Sequence, residues 1–242
     1  MFQLSDFKEW IMKHYPHKKE DVDGWSEHIR PCEPNEGTGT DIHLIQSIKD
    51  SITDRFIETG TEAGSFTLNF VDTAKEIITC ELDEINYLCA KYRHEDIPNI
   101  QGYKADSRTF LDSFNLRDSD VFFLDAHGGG YDLFNDNPLT HELQAIKRAG
   151  ITPTIFIHDF GIETDKTPND GNYWHHEALD KVYEYRFDFD PVPNGWKLDW
   201  NFIKDDIEEI YGKNYKIEYP PFQNDDVVVG WIKISHEVQD TQ

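Results

Sequence analysis

The stretch RFIETGTEAGS, residues 55–65, predicts a short buried strand that runs into a turn containing two glycines. Arg55 to Thr59 is rich in residues that favour strands, and a helix is expected after the turn. That helix would carry Phe66, Phe70, Val71 and Ala74 on its apolar face. Gly60 and Gly64 allow a tight bend and a close approach of the backbone to a ligand. We therefore expect a βα unit whose helix N-terminus offers free amide donors.

The same alternation continues after this stretch. Further strands are predicted at residues 77–82, 99–105, 121–125 and 154–158, with amphipathic helices between them. A helix at 201–211 and two last strands at 215–219 and 227–235 complete the pattern. Short strands alternating with amphipathic helices predict a parallel sheet that helices cover on both faces.

The flanking regions define the domain organisation. A chain of 242 residues suits one α/β domain, which we place at residues 38–242. It should begin with a helix over 38–50, capped by Thr40 or Asp41, with Ile42, Ile45 and Ile48 on its apolar face. Residues 1–37 lack a clean period and suggest an irregular extension or lid. Residues 160–200, with one helix near 175–186, suggest an insertion.

Composition excludes several classes of function. The chain has 23 Lys and Arg against 47 Asp and Glu, a formal net charge of −24. This charge repels a phosphate backbone, so nucleic acid is not the expected partner. No apolar run reaches the ~20 residues that cross a bilayer, and no secretion signal is evident. Cys32, Cys80 and Cys89 have no CxxC spacing, which favours a reducing cytoplasm over a disulfide or zinc scaffold.

Each of the first five predicted strands ends in a carboxylate, and ligands of open parallel sheets bind beyond this edge. These residues are Glu58, Glu81, Asp106, Asp125 and Asp159. Glu81 follows Glu58 by 23 residues, where an acid can accept hydrogen bonds from both ribose hydroxyls of a nucleoside. The glycine spacing is neither the GxGxxG of a dinucleotide site nor a phosphate loop, because no GK[ST] follows.

With these motifs, residues 55–160 resemble the class I S-adenosylmethionine-dependent methyltransferases. The segments FIETGT, FFLDAH, PLTHEL and HD are similar to bacterial small-molecule and sugar O-methyltransferases of the macrolide-sugar and cephalosporin-hydroxylase-like group. The resemblance implies an α/β fold, a Rossmann-like three-layer sandwich. Its mostly parallel sheet would have seven strands and an antiparallel last strand, for which residues 227–235 are the candidate.

The resemblance also implies a site for S-adenosyl-L-methionine. Glu58, Gly60 and Gly64 would contact the methionine end, Glu81 the ribose, and Asp106 with Ser107 the adenine. The predicted cofactor site is completed by Thr59, Ser65 and Asp125.

Several members of this group hold a divalent cation with the acid that ends strand four and an acidic pair that ends strand five. Asp125 and Asp159 match this pattern, which would place Mg²⁺ or another divalent cation there. His158 stands where the family usually has an acid, so this chain departs from the pattern. A His/Asp/Asp site is chemically reasonable for other divalent metals. A core histidine that contacts no metal is the alternative for His158.

Methyl transfer to a hydroxyl requires removal of its proton, by a positioned base or by a metal that acidifies the hydroxyl. His127, which precedes Gly128, Gly129 and Gly130, is our candidate base, assisted by Asp125. A backbone-bonded loop histidine is the alternative. Tyr173 and Trp174 could stack on a sugar or ring acceptor, or pack the insertion onto the sheet.

Other functions fit the same sequence. The acceptor could be a nitrogen or a protein side chain, or the chain could be a nucleoside-binding module without catalysis. We expect a small-molecule or glycan acceptor, and the sequence leaves homo-oligomerisation open.

Overall fold

The computed structural model describes residues 4–18, 42–126, 137–158, 200–218 and 231–237. The helices are α1 (Leu4–His14), α2 (Ile42–Ser51), α3 (Glu84–His94), α4 (Ser107–Phe110), α5 (Pro138–Ala149) and α6 (Trp200–Tyr211). The strands are β1 (Arg55–Thr59), β2 (Glu76–Glu81), β3 (Ile100–Lys104), β4 (Val121–Leu124), β5 (Thr154–His158), β6 (Tyr215–Glu218) and β7 (Trp231–His236). Single 3₁₀ turns lie at Pro16–Lys18, Thr67–Phe70 and Leu111–Ser113.

The strands form one seven-stranded sheet in the order β3-β2-β1-β4-β5-β7-β6. Strands β1 to β5 are parallel, whereas β7 is antiparallel to both β5 and β6. This arrangement confirms the predicted Rossmann-like α/β class and the antiparallel last strand in the sequence. The strand order reverses between β1 and β4, so the crevice for a ligand is expected at their carboxyl ends.

Apolar residues of alternating strand positions pack on both faces of the sheet, which gives three layers. Ile57, Phe122 and Ile155 lie on the face covered by α5 and α6. Phe56 and Phe123 lie on the opposite face, with α2 and the Thr67–Phe70 turn. All five residues of β1 are buried, as expected for a central strand of a parallel sheet. The edge strand β3 differs, because its residues from 101 to 104 are exposed.

The N-terminal segment contains a regular helix where we expected irregular structure. Phe7, Trp10 and Ile11 of α1 are buried on one face and pack against Leu88 and Cys89 of α3. The Trp10 indole also donates a hydrogen bond to the Glu95 carboxylate at 2.7 Å. Phe7, Trp10 and Ile11 are spaced by the three and four residues of a helical period. The many polar residues of the segment obscured this period in the sequence.

Helix α2 confirms the predicted helix but with a different buried face. Leu44, Ile45 and Ile48 are buried, whereas Ile42, the first residue of the helix, is 72% exposed. The prediction that Ile42 belongs to the apolar face is therefore wrong, because the buried stripe runs through Leu44 instead. The proposed caps Thr40 and Asp41, the insertion at 160–200 and the helix near 175–186 lie outside the described residues. The described helices are too short or too polar to span a membrane.

Candidate functional site

The carboxyl ends of β1, β2 and β4 meet around the turn that follows β1. The amides of Gly60 and Thr61 both donate to the Cys80 carbonyl oxygen, at 3.0 and 3.1 Å. The Asp125 amide donates to the Thr59 carbonyl oxygen at 3.2 Å. The turn is therefore tied to β2 on one side and to the end of β4 on the other.

The backbone conformation and the close packing at position 60 both require glycine. Its φ of +80° lies in the left-handed region, which side chains other than that of glycine disfavour. A Cβ at this position would lie 2.6 Å from the Asp125 carbonyl oxygen and 2.9 Å from the Ala126 Cα. We expected Gly60 to let the backbone approach a ligand, but the close approach observed is to the backbone that follows β4.

Gly64 has a similar constraint on the other side of the turn. Its φ is +81°, and a Cβ would lie 2.8 Å from both the Ala90 Cβ and the His94 ring. The Gly64 carbonyl accepts a hydrogen bond from His94 Nε2 at 2.8 Å. His94 was missed in the sequence because it lies outside the apolar period of α3. In the sequence, His94 forms a basic last turn with Lys91 and Arg93, and such turns are common at helix C-termini.

The helix expected directly after this turn is not formed. The structure has a four-residue 3₁₀ helix at Thr67–Phe70 instead. Phe70 and Ala74 are buried with Phe56, as predicted, whereas Phe66 and Val71 are only partly buried against this cluster. The row of free amides that an α-helix N-terminus would supply is absent from residues 60–75, and that part of the prediction is wrong.

Glu58 lies beneath the turn and is 1% exposed. Its Oε2 accepts hydrogen bonds from the Thr67 hydroxyl at 2.6 Å and the Thr79 hydroxyl at 2.7 Å. Burial raises the pKa of Glu58 to about 7, against the two hydrogen bonds, which lower it. The nearby charges of Asp125 and Glu81 raise it further. The contacts of Glu58 therefore join β1, β2 and the 3₁₀ helix through hydroxyl groups.

Two further threonines belong to this edge. The Thr61 hydroxyl is hydrogen-bonded to that of Thr79, which continues the network around Glu58. Thr59, on the opposite face of β1, is buried, and its hydroxyl has no hydrogen-bond partner among the described residues. Such a buried hydroxyl is uncommon and is often completed by a water or a ligand.

Glu81 ends β2 and holds the outer part of the turn. Its Oε2 accepts from the Glu62 amide at 2.8 Å, and its Oε1 accepts from the Asp83 amide at 2.7 Å. Burial raises the pKa of the Glu81 carboxyl, and the two backbone hydrogen bonds oppose that change. Glu62 itself has a φ of +52°, so this carboxylate helps to hold an unusual backbone conformation.

Asp106 and Ser107 follow β3, one strand further from the switch point. The Asp106 carboxylate caps α4 by accepting from the Arg108 amide at 3.0 Å, and it also pairs with the Arg108 guanidinium at 2.5 Å. The hydrogen bond from the Arg108 side chain lowers the pKa of Asp106 despite partial burial. Ser107 is buried. Part of the acceptor capacity assigned to adenine is thus used by Arg108.

Asp125 and His158 lie together at the ends of β4 and β5. Asp125 Oδ1 and His158 Nδ1 are 3.1 Å apart, and both side chains are partly exposed. The His158 ring also packs against Phe123, with a centroid separation of 5.7 Å. His127 and Asp159, predicted as base and metal ligand, lie outside the described residues, as do Tyr173 and Trp174.

These two side chains fit a divalent cation in part. They offer one carboxylate oxygen and one imidazole nitrogen, a donor pair that suits Zn²⁺ better than Mg²⁺. Their present contact is a hydrogen bond whose proton a metal would have to replace. The described residues hold no group of three His, Cys, Asp or Glu that could bind a metal. Asp125 and His158 are therefore two of the three predicted ligands, and the third, Asp159, lies outside the described residues.

The structure brings most of the predicted site residues to one edge of the sheet. Glu58, Thr59, Gly60, Gly64, Ser65, Glu81 and Asp125 surround the switch point between β1 and β4. Asp106 and Ser107 follow β3, two strands away from β1 in the sheet order. A nucleoside lying along this edge would extend from the β1 turn toward β3.

No family model and no curated protein matches the chain. Among solved structures, it is similar to a Streptococcus mutans protein, provisionally assigned as a methyltransferase, in complex with S-adenosylhomocysteine. That likeness has 14% identity and a TM-score of 0.50, and it covers 82% of this chain and 99% of the other. The chain has the same Rossmann-like α/β fold. This likeness confirms the fold predicted from the sequence.

Two other solved structures match with lower scores. A Staphylococcus aureus protein provisionally assigned as a caffeoyl-CoA O-methyltransferase has 13% identity and a TM-score of 0.48, over 95% of this chain and 98% of that one. An rRNA methylase from Streptococcus thermophilus has 11% identity and a TM-score of 0.47, over 83% and 99%.

Proposed function

We propose that this protein is an S-adenosylmethionine-dependent methyltransferase that methylates a hydroxyl group of a small molecule or sugar. The observation that carries the proposal is the pairing of the glycine turn with Glu81 at the switch point of the sheet. Each Glu81 oxygen accepts one amide at the distances given above. A carboxylate oxygen has two lone pairs, so both oxygens can also accept a ribose hydroxyl.

The charge of this edge supports a cationic cofactor. Glu58, Glu81 and Asp125 lie at or next to the carboxyl ends of neighbouring strands, and the pKa of Glu58 is raised partly by the charges of the other two. A sulfonium ion placed among these carboxylates would relieve their mutual repulsion. After methyl transfer the sulfur is neutral, so this attraction is lost with the product.

The proposed reaction is a displacement at the methyl carbon. The acceptor oxygen forms a bond to this carbon while the carbon–sulfur bond breaks, and its electron pair stays on sulfur. The hydroxyl proton must pass to a base during the attack. We propose His127 for this role, with Asp125 and its hydrogen-bonded partner His158 orienting the acceptor nearby. A divalent cation held by Asp125, His158 and Asp159 would supply acidification of the hydroxyl when bound.

The cofactor is tested by calorimetric titration with S-adenosylhomocysteine and, in parallel, NAD. We expect binding of the former alone. Glu81→Gln should weaken that binding about tenfold, because a charged acceptor of the ribose hydroxyls is lost. Glu76→Gln, at the opposite end of the same strand, is the matched control and should change it less than about twofold. Binding of NAD alone would overturn the proposed cofactor.

The acceptor is tested by transfer of a labelled methyl group to a panel of hydroxyl, amine and protein acceptors, with and without a chelator. We expect products only from hydroxyl acceptors, and His127→Ala should abolish most of the turnover while leaving cofactor binding intact. Methylated amines formed in the presence of the chelator would instead indicate an N-methyltransferase. Cofactor binding without turnover of any acceptor would indicate a nucleoside-binding module.

A further inference from the structure

The turn after β1 is held from behind by one buried histidine. His94 of α3 is 7% exposed, and its Nε2 lies 2.8 Å from the Gly64 carbonyl oxygen. A carbonyl oxygen can only accept, so Nε2 carries the proton of this hydrogen bond. Burial lowers the pKa of His94, which keeps the ring neutral at neutral pH.

The orientation of this carbonyl determines the direction of the next amide. The Gly64–Ser65 peptide is planar and trans, so its C=O and N–H bonds point in opposite directions. With the carbonyl directed at His94, the Ser65 N–H points away from α3. This N–H donates to no acceptor among the described residues, and the same holds for the amides of Ala63 and Phe66. The turn amides of Gly60, Thr61, Glu62 and Gly64 are all used within the protein.

Little else holds this peptide in place. Gly64 has no side chain and adopts a φ of +81°, so rotation of the peptide meets little resistance from its own residue. The residues that follow form only the short 3₁₀ helix, so helical hydrogen bonds do not extend back to Ser65. The tight packing of Gly64 against Ala90 and His94 limits the position of Cα. The direction of the carbonyl depends on the His94 hydrogen bond.

We propose that His94 is a positioning residue that presents the Ser65 N–H to the carboxylate of the methionine portion of the cofactor. This inference rests on the proposed function, because it names the ligand group that the turn would bind. A backbone amide fixed before binding is an effective donor to an anionic oxygen, since no ordering is required when the ligand arrives. His94 itself touches the turn and does not need to touch the cofactor.

The test compares two ligands and three variants by calorimetry. S-adenosylhomocysteine carries the carboxylate, and 5′-methylthioadenosine has the same nucleoside without it. His94→Ala should weaken S-adenosylhomocysteine binding about tenfold and leave methylthioadenosine binding within about twofold. His94→Gln, whose amide nitrogen can donate from a similar position, should restore most of the loss. Tyr211→Phe removes another buried hydrogen bond to a backbone carbonyl, that of Pro153, and should affect neither ligand.

A second measurement needs no ligand. Hydrogen–deuterium exchange at the Gly64 amide, which donates to the Thr61 carbonyl oxygen at 3.0 Å, should accelerate in His94→Ala and remain unchanged in Tyr211→Phe. Equal losses of affinity for both ligands, an unchanged affinity in His94→Ala, or an unchanged Gly64 exchange rate would each overturn the positioning role. Failure of the unmodified protein to bind S-adenosylhomocysteine would overturn the proposed function itself, which is a different result.

Discussion

The two ends of strand β1 bury charge in opposite ways. At its start, Arg55 donates from Nε and Nη2 to the two carboxylate oxygens of Asp120, at 2.9 and 2.6 Å, and both side chains are buried. Asp120 also accepts from the Arg117 amide at 2.8 Å. One residue before its end, Glu58 is equally buried, but the groups that donate to it are hydroxyls of threonine and carry no charge.

The charge of the donor groups distinguishes the amino edge of the sheet, which is structural, from the carboxyl edge, where we propose that the ligand binds. The amino edge neutralises its buried carboxylate with a guanidinium, and the hydrogen bond to Asp120 raises the pKa of Arg55. The carboxyl edge keeps an acid whose pKa is raised to about 7 beside two more carboxylates. Perturbed acids of this kind are enriched at functional sites, and a cationic ligand would supply the missing positive charge.

The largest expected effect is at the amino edge. Asp120→Asn should lower the free energy of unfolding by about 3 to 5 kcal/mol, because the buried Arg55 guanidinium loses its hydrogen-bonded carboxylate and keeps only the more distant Glu76 carboxylate, at 3.8 Å, as a counter-charge. Asp112→Asn is the control, since Asp112 forms a similar two-point pair with Arg148 on the surface. It should cost less than about 1 kcal/mol in urea unfolding. Equal losses would show that burial of the Arg55 pair is not what matters.

The next comparison uses two glycines with positive φ. Gly60→Ala should destabilise the protein by about 2 to 4 kcal/mol, from the left-handed backbone and from the clash of Cβ with the Asp125 carbonyl. Gly150, at the end of α5, has a φ of +68°, and a Cβ there would meet nothing within 4 Å. Gly150→Ala should therefore cost only about 1 kcal/mol. Thermal unfolding of both variants measures the difference. Similar costs would mean that the carboxyl edge can relax around a side chain.

The third effect depends on pH. The pKa of Glu58 is raised from 4.5 to about 7 in the folded protein, so the folded state retains a proton that the unfolded state has lost. The stability contributed by Glu58 is therefore complete below pH 4.5 and is lost as pH rises to about 7. Glu58→Gln keeps an acceptor for Thr67 and Thr79 without the charge. Above about pH 7 it should exceed the unmodified protein in stability by up to about 3 kcal/mol.

Urea unfolding of both proteins between about pH 5 and pH 8 tests this prediction, because other carboxylates contribute equally to both curves. The difference between the curves should grow with pH and level off above the raised pKa of Glu58. A difference that stays constant over this range would contradict a raised pKa for Glu58.

Much of the fold could be predicted from the sequence. Arg55–Thr59 and Thr154–His158 were predicted residue for residue, because continuous β-branched and aromatic runs between polar turns are typical of central parallel strands. Helix α5 was also predicted through its buried Leu139, Leu143 and Ile146. The carboxylates near the strand ends could also be predicted, because the carboxyl ends of parallel strands all lie on the same edge of the sheet.

The linear chain was enough to predict the order of strands and helices, the edge that carries the acids and the need for glycine after β1. These are local properties, because periodicity and glycine content act over a few residues. The contacts depend instead on packing in three dimensions. Packing shows that Gly60 faces the Asp125 backbone, that Gly64 rests on His94, and that Arg55 neutralises Asp120. The last two contacts join residues 30 and 65 positions apart, and pairings at that separation leave no periodic signal in the chain.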